Sequence, residues 1–440
     1  MELSLGVLLL IFIGTFVGAC VLSRIPVAFG MGLGALALIA VLGLPYTQFL
    51  QASFTSLDSF TYLAIPLFVL AGSFMEHSGI ATMLIDWAEA LIGKRRGGIG
   101  AICTVACAAF GMLTGSATST LTSIGKIMIG EMKKRGYSDS YAGALAAATG
   151  FLGILIPPSG PAIIYAVIAG CSISAIWMST VVPGVVIMIG TIVINYFIHG
   201  KKEPPIPASE RLSPVEHVKN VGRQTVRSIP ALLMPLIIFG GIYGGIFTAT
   251  EAGAVTCVYA AGYYIYAKLR KRKLNATMGR IFEESNIGNA NIGLLTIFSL
   301  CAGRVISLAG IDVKMAEFVL QYCESPIIFL LAFDILLLFL GMLISNTAII
   351  LIVTPLLLPS AVALGISPIH FGCILMVATV YGNLTPPFAT AGFIASGLAG
   401  APFVKVMRDA FPYLLFGLVV IALVTFVPQS WMWLVNLTGG

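Results

Sequence analysis

Apolar residues run along this chain in blocks of membrane-spanning length. A helix needs about 20 predominantly apolar residues to cross a bilayer. Runs of that character occupy 3–22, 25–44, 60–76, 140–170, 172–198, 230–247, 249–266, 288–308, 368–398 and 410–436. Two further apolar stretches, 99–132 and 326–365, are broken near their centres by Gly, Ser, Asn and Thr. The only hydrophilic interruption of any length is 201–229. Within it Ser213-Pro214-Val215-Glu216 has the form of a capping box with Pro at the first helical position. Val215, Val218, Val221 and Val226 follow at roughly helical intervals, which predicts a helix lying at the membrane interface. Met1-Glu2-Leu3 carries no basic leader region, so the first helix is expected to stay in the mature chain.

Composition agrees with the pattern. Of 440 residues, 58% are hydrophobic and 10% charged, where soluble domains carry roughly 25% charged residues. The expected class is an all-α polytopic membrane protein. The eight cysteines show no metal-ligand or redox spacing and the four histidines form no cluster, so buried small hydrophobes are the expected role of most cysteines. There is no HExxH, no aspartate pair and no nucleophile–base pair at mid-membrane, which argues against an enzyme.

Basic residues orient the spans, because Lys and Arg accumulate on the cytoplasmic side of short loops. All but Lys126, Arg304 and Lys314 of the 24 fall at Arg24, 94–96, 133–135, 201–227, 268–280, Lys405 and Arg408. One orientation accommodates them, with both termini periplasmic and a long return helix ending at Gly93. They mark topology rather than a nucleic-acid face. Residues 99–132 have basic clusters at both ends, so this segment enters and leaves from the cytoplasmic side as a re-entrant hairpin. Residues 326–365 have none at either end, which suits a hairpin entering from outside.

A single offset lays 110–166 on 339–395 without gaps. It pairs Phe110 with Phe339, Ser116 with Ser345, Thr118 with Thr347, Gly136 with Gly365, Ser138 with Ser367 and Gly153 with Gly382, and Pro157-Pro158 with Pro386-Pro387. Gly79-Ile80 and Gly310-Ile311 correspond at a small slip. The matches fall on residues that set backbone shape. With the charge-derived topology the repeats are inverted, as in secondary transporters. The expected organisation is N-terminal scaffold helices (1–59), a first repeat (60–200), an interfacial arm and scaffold helices (201–285), and a second repeat (286–440).

Each repeat breaks a long apolar segment at paired prolines, which give no amide donor. Such breaks survive in a membrane where the chain lines a cavity, and the freed carbonyls suit Na⁺. The sodium candidates are Ser116, Thr118, Gly153 and Pro157 in the first repeat. Ser345, Asn346, Thr347, Gly382, Thr385 and Pro386 are those of the second. Half-helix N-termini beyond the breaks suit an anion, which makes Gly115, Pro158, Ser159, Asn383 and Pro387 substrate candidates. Arg304 lies inside the apolar run Leu300–Ile306, and an intramembrane charge is a functional-site hypothesis. It pairs with a substrate carboxylate or sulfonate, or with Asp334, or snorkels to the outer interface. Lys126 poses the same question.

Four stretches carry a family resemblance: Thr114-Gly115-Ser116-Ala117, Ile127 to Tyr137, Ile156-Pro157-Pro158-Ser159, and Gly240 to Ala252. Together they resemble the large membrane (M) subunit of tripartite ATP-independent periplasmic (TRAP) transporters, over essentially the whole chain. Thr114 and Gly130 depart from the residues that family often carries there. The resemblance implies an elevator-type carrier in a bacterial inner membrane. It also implies a small four-helix membrane subunit, a periplasmic substrate-binding protein, and uptake of a carboxylate, sialic acid or sulfonate with Na⁺. No Walker A sequence is present, since Gly125-Lys126 is followed by Ile127, so an ion gradient is the expected energy source. The competing expectation is a stand-alone sodium symporter that works without a binding protein.

Overall fold

The structure is a computed structural model and describes residues 3–201, 213–272, 274–323 and 325–437. Residues 202–212 of the hydrophilic loop therefore lie outside the described residues. What is described is helical, with no strand among the described residues. The chain opens with α1 (Leu5–Val21), α2 (Val27–Leu42) and α3 (Tyr46–Leu57), then α4 (Ala64–His77) and α5 (Ile80–Ile92). A first hairpin follows, made of α6 (Gly98–Thr114), α7 (Ala117–Thr120), a π-helical stretch Leu121–Gly125, and α8 (Lys126–Lys134). The first broken helix comprises α9 (Asp139–Gly150), α10 (Leu152–Leu155) and α11 (Gly160–Ala169), bent by 43° at the break. Then come α12 (Ile173–Asn195), α13 (Pro214–Tyr243), α14 (Ala249–Leu269), α15 (Met278–Leu308) and α16 (Ile311–Tyr322). The second hairpin is α17 (Pro326–Leu343) with α18 (Asn346–Ala363), and the second broken helix is α19 (Pro368–Gly382) with α20 (Thr390–Ala399). Helices α21 (Phe403–Phe426) and α22 (Gln429–Leu437) close the chain.

Three elements differ from the hydropathy reading. The return segment expected as one long helix turns by 75° between α4 and α5, at Gly79, whose φ of 78° is a left-handed conformation that glycine adopts without strain. Gly310, its repeat counterpart, has φ 65° and starts α16 in the same way. The interfacial helix and the following span are one continuous helix, α13, through Pro230 and Pro235. Its capping box is formed: Glu216 N–H donates to Ser213 Oγ at 3.3 Å, and Ser213 N–H donates to Glu216 Oε2 at 3.0 Å. The last span ends at Phe426, and Pro428 separates it from α22.

Among the described residues six helices are long and apolar enough to cross a membrane, or up to eight if each bent pair counts as one span. Large apolar side chains such as Leu10, Ile189, Leu236, Val258 and Val419 are exposed, as a lipid-facing surface requires. The interior belongs to the broken helices. α9 is buried from Tyr141 to Gly150 and α19 from His370 to Gly382. Ser138 and Ser367 each cap the broken helix, accepting from Tyr141 N–H at 3.3 Å and His370 N–H at 3.1 Å.

Candidate substrate and ion site

Proline placement decides which carbonyls lose their partners. A helical carbonyl at i takes the N–H of i+4. Pro157, Pro158 and Pro161 have no N–H to give, so the carbonyls of Gly153, Ile154 and Pro157 have no helical donor. Pro386 and Pro387 do the same to Gly382 and Asn383. The Gly382 carbonyl takes Thr385 N–H at 2.9 Å instead, and that of Asn383 takes Ala391 N–H at 3.4 Å. The first break is buried throughout Ile156–Ser159, whereas Pro386, Pro387 and Phe388 are exposed.

Each hairpin is pressed against the break of its own repeat, backbone to backbone. A Cβ on Gly111 would overlap Gly153 Cα, and one on Gly341 would lie 2.6 Å from Gly382 Cα. A Cβ on Gly153 would stand 2.7 Å from the Ser116 carbonyl oxygen and would overlap Thr120 Oγ1. The donor-poor break, the hairpin tip and a hydroxyl thus converge at one point. At the tips, Ser116 Oγ accepts from Ser119 N–H at 3.3 Å and Ser345 Oγ from Ala348 N–H at 3.4 Å. The second tip is tied to its break through Asn383 Nδ2, which donates to Asn346 Oδ1.

Both tips and both breaks open onto one cavity of about 440 Å³. Gly115, Ser116, Thr118, Pro158, Ser159, Ser345, Asn346, Thr347 and Asn383 meet in its wall. Gly153 and Gly382 are buried behind the tips. Pro157, Thr385, Pro386 and Pro387 also stand outside the wall, and the Thr385 hydroxyl donates back to the Tyr381 carbonyl at 2.8 Å. The stretches α7 to α8, α11, α18 and α20 all begin at the cavity, so four partial positive ends face it. Ser159 adds an unusual group: the residue is fully buried and its hydroxyl has no hydrogen-bond partner. A buried hydroxyl left so costs about 1–3 kcal/mol, which a ligand in the cavity would relieve.

Arg304 does not join this site. It is exposed on α15, absent from the cavity wall, and without an ion-pair or hydrogen-bond partner among the described residues, Asp334 included. Asp334 is instead buried against Thr425, whose Oγ1 donates to it at 3.2 Å. Lys126 is likewise exposed on α8 and off the wall. Among the described residues no Lys, Arg or His lines the cavity. Sequence reasoning missed two contributors. Thr120 lies one turn past the first tip, in the run Thr118-Ser119-Thr120-Leu121-Thr122-Ser123, where nothing in the sequence sets it apart from its neighbouring hydroxyls. Glu76 of α4 lines the cavity and accepts from Ser123 Oγ at 2.9 Å. An acid closing the apolar run 60–76 was a readable signal.

The chain matches the family described as tripartite ATP-independent periplasmic transporter, DctM component, over residues 12–430. It is 35% identical over 390 residues to the C4-dicarboxylate TRAP transporter large permease protein DctM of Pseudomonas aeruginosa, covering 88% of each chain. To the sialic acid TRAP transporter large permease protein SiaM of Vibrio cholerae it is 32% identical, covering 92% of this chain and 94% of that one. To the isethionate TRAP transporter permease protein DctMQ of Oleidesulfovibrio alaskensis it is also 32% identical, over 92% of this chain but 63% of that longer protein. Among solved structures it is similar to the Alcanivorax borkumensis YdaH transporter, with TM-score 0.59 and 14% identity over 87% of this chain and 89% of that one. It is also similar to Neisseria gonorrhoeae MtrF, with TM-score 0.59 and 16% identity over 86% of this chain and 83% of that one. Those two likenesses are of fold alone.

Proposed function

The chain belongs to the DctM family of tripartite ATP-independent periplasmic transporters, a multi-pass membrane transport protein and not an enzyme, and from this premise we propose that it imports a small organic anion together with Na⁺. The observation that carries the reading is one cavity where two hairpin tips and two broken helices meet with no cationic side chain among the described residues. An anion there needs positive charge from elsewhere. Four helix N-termini supply part, and Na⁺ supplies the rest. The first ion is held by the Ser116 and Gly153 carbonyls with Thr120 Oγ1. Asn346, Thr347 and the Gly382 and Asn383 carbonyls stand in equivalent places in the second repeat. Ser159, Asn383 and the tip residues Gly115 and Ser345 orient the substrate.

Each inward Na⁺ contributes ~2.3 kcal/mol per 100 mV and about 1.4 kcal/mol per tenfold gradient, so two suffice to accumulate a monoanion. The repeats are inverted. Hairpins and broken helices form the mobile domain, and α1–α3 with α13–α15 form the scaffold. The relatives' names support a carboxylate, sialic acid or sulfonate as cargo. A small membrane subunit and a periplasmic binding protein complete the system in the inner membrane, with both termini periplasmic. The test is Na⁺ removal. The purified membrane complex is melted in NaCl and in choline chloride at equal ionic strength. A ligand that binds only the folded state raises Tm, so Na⁺ stabilises the complex while choline does not. Equal melting in the two salts overturns the ion site.

A further inference from the structure

The cavity assigned to an organic anion has one charged residue in its wall among the described residues, and that residue is an acid. Glu76 lies near the end of α4, half-buried, its Oε1 held by Ser123 Oγ of the first hairpin at 2.9 Å. Its neighbour His77 pairs with Glu284 at 3.0 Å and is not in the wall. The position of Glu76 relative to the anion cradle follows from α4. A Cβ on Gly72 would stand 3.1 Å from Thr114 Cα at the first hairpin tip. Glu76 is four residues further on, about 6 Å along a helix. The cavity is therefore bipolar, with helix N-termini at the tips and a carboxylate one turn away.

We infer that Glu76 sets substrate class: it selects organic acids that carry an ammonium or hydroxyl donor at the end remote from the acid group, and it disfavours dianions. The inference rests on the reading of this cavity as the anion site. An acid group seated at the tips leaves its far end facing Glu76. A second carboxylate there meets like charge in a confined, low-dielectric space, whereas an ammonium or hydroxyl donates to it. Ser123 fixes the carboxylate in place, so selection needs no rearrangement.

The test uses matched probes that differ only at the far end: 4-aminobutanoate against glutarate, and taurine against 3-sulfopropanoate. Binding is titrated directly to the detergent-purified membrane complex in NaCl, which removes the periplasmic binding protein's own preference from the result. The ammonium member of each pair is expected to bind about tenfold more tightly, ~1.4 kcal/mol. Glu76→Gln keeps the side-chain length and an oxygen for Ser123, and it should cut that ratio to near unity. Its melting temperature checks that the variant is folded, and the wild-type ratio stands without it. Dianions that bind as well as their ammonium partners, or a ratio that Glu76→Gln leaves unchanged, overturn the inference while leaving the anion site intact. If none of the four probes binds in Na⁺, the anion-site reading fails and this inference falls with it.

Discussion

Gly153→Ala places one methyl group where the first hairpin tip meets the first helix break. The new Cβ would stand 2.7 Å from the Ser116 carbonyl oxygen. Carbon–oxygen contacts settle near 3.3–3.6 Å, so that carbonyl must retreat by roughly 0.6 Å or more. Backbone cannot yield as a flexible side chain does. Overpacking of this kind costs about 1–3 kcal/mol, and here the group displaced is a proposed Na⁺ ligand. The Na⁺ concentration for half-maximal uptake should rise roughly 5- to 150-fold, the range those energies span. The assay is uptake into proteoliposomes as external Na⁺ is varied, with melting temperature as a check on folding. Gly130→Ala is the control, since a Cβ there meets nothing within 4 Å and alanine is the better helix former. A Gly153→Ala protein with wild-type Na⁺ half-saturation would refute the site.

Ser159→Ala removes a buried hydroxyl that has no partner, so Tm should stay level or rise while uptake falls about tenfold; a fall in both measures would mark Ser159 as structural. Asn346→Ala and Asn383→Ala, which break one amide contact between tip and helix break, should be non-additive by about 0.5–3 kcal/mol in a double-mutant melting cycle. Additive losses would mean that the two amides act independently. Arg304→Ala should keep uptake within about fivefold, the most an exposed charge contributes. Abolished uptake in a folded protein would return Arg304 to the substrate.

What the sequence made legible was backbone shape. Gly, Pro, Ser and Thr recur because they fix turns, caps and breaks: Ser138 and Ser367 and the two proline pairs at one offset, Gly79 and Gly310 at a small slip from it. Short amphipathic helices were harder to read. α3 carries Thr47, Gln48, Gln51 and Ser53, and α16 carries Asp312, Lys314 and Glu317, so neither forms an apolar run of spanning length. The 75° bend falls on Glu76-His77-Ser78-Gly79, a polar break ending in glycine that the expectation of one long return helix ran across. Arg304 shows the limit of one-dimensional reasoning. A charge inside an apolar run points to a site, but whether it faces the cavity or the outside depends on helix rotation, which α15 settles outward. Thr120 was the converse, one of several neighbouring hydroxyls and drawn to the site only by the packing of the first hairpin on its break, whereas Glu76, an acid closing an apolar run, carried a signal in the sequence.

Coupled, protein-delivered import is read out by uptake of a radiolabelled organic acid. The chain is reconstituted in proteoliposomes with its small membrane subunit, and the inward Na⁺ gradient and the periplasmic binding protein are each added or omitted. Uptake is expected only when both are present. Uptake that persists without the binding protein would instead mark a stand-alone symporter, and uptake indifferent to Na⁺ would contradict the ion site at the helix breaks.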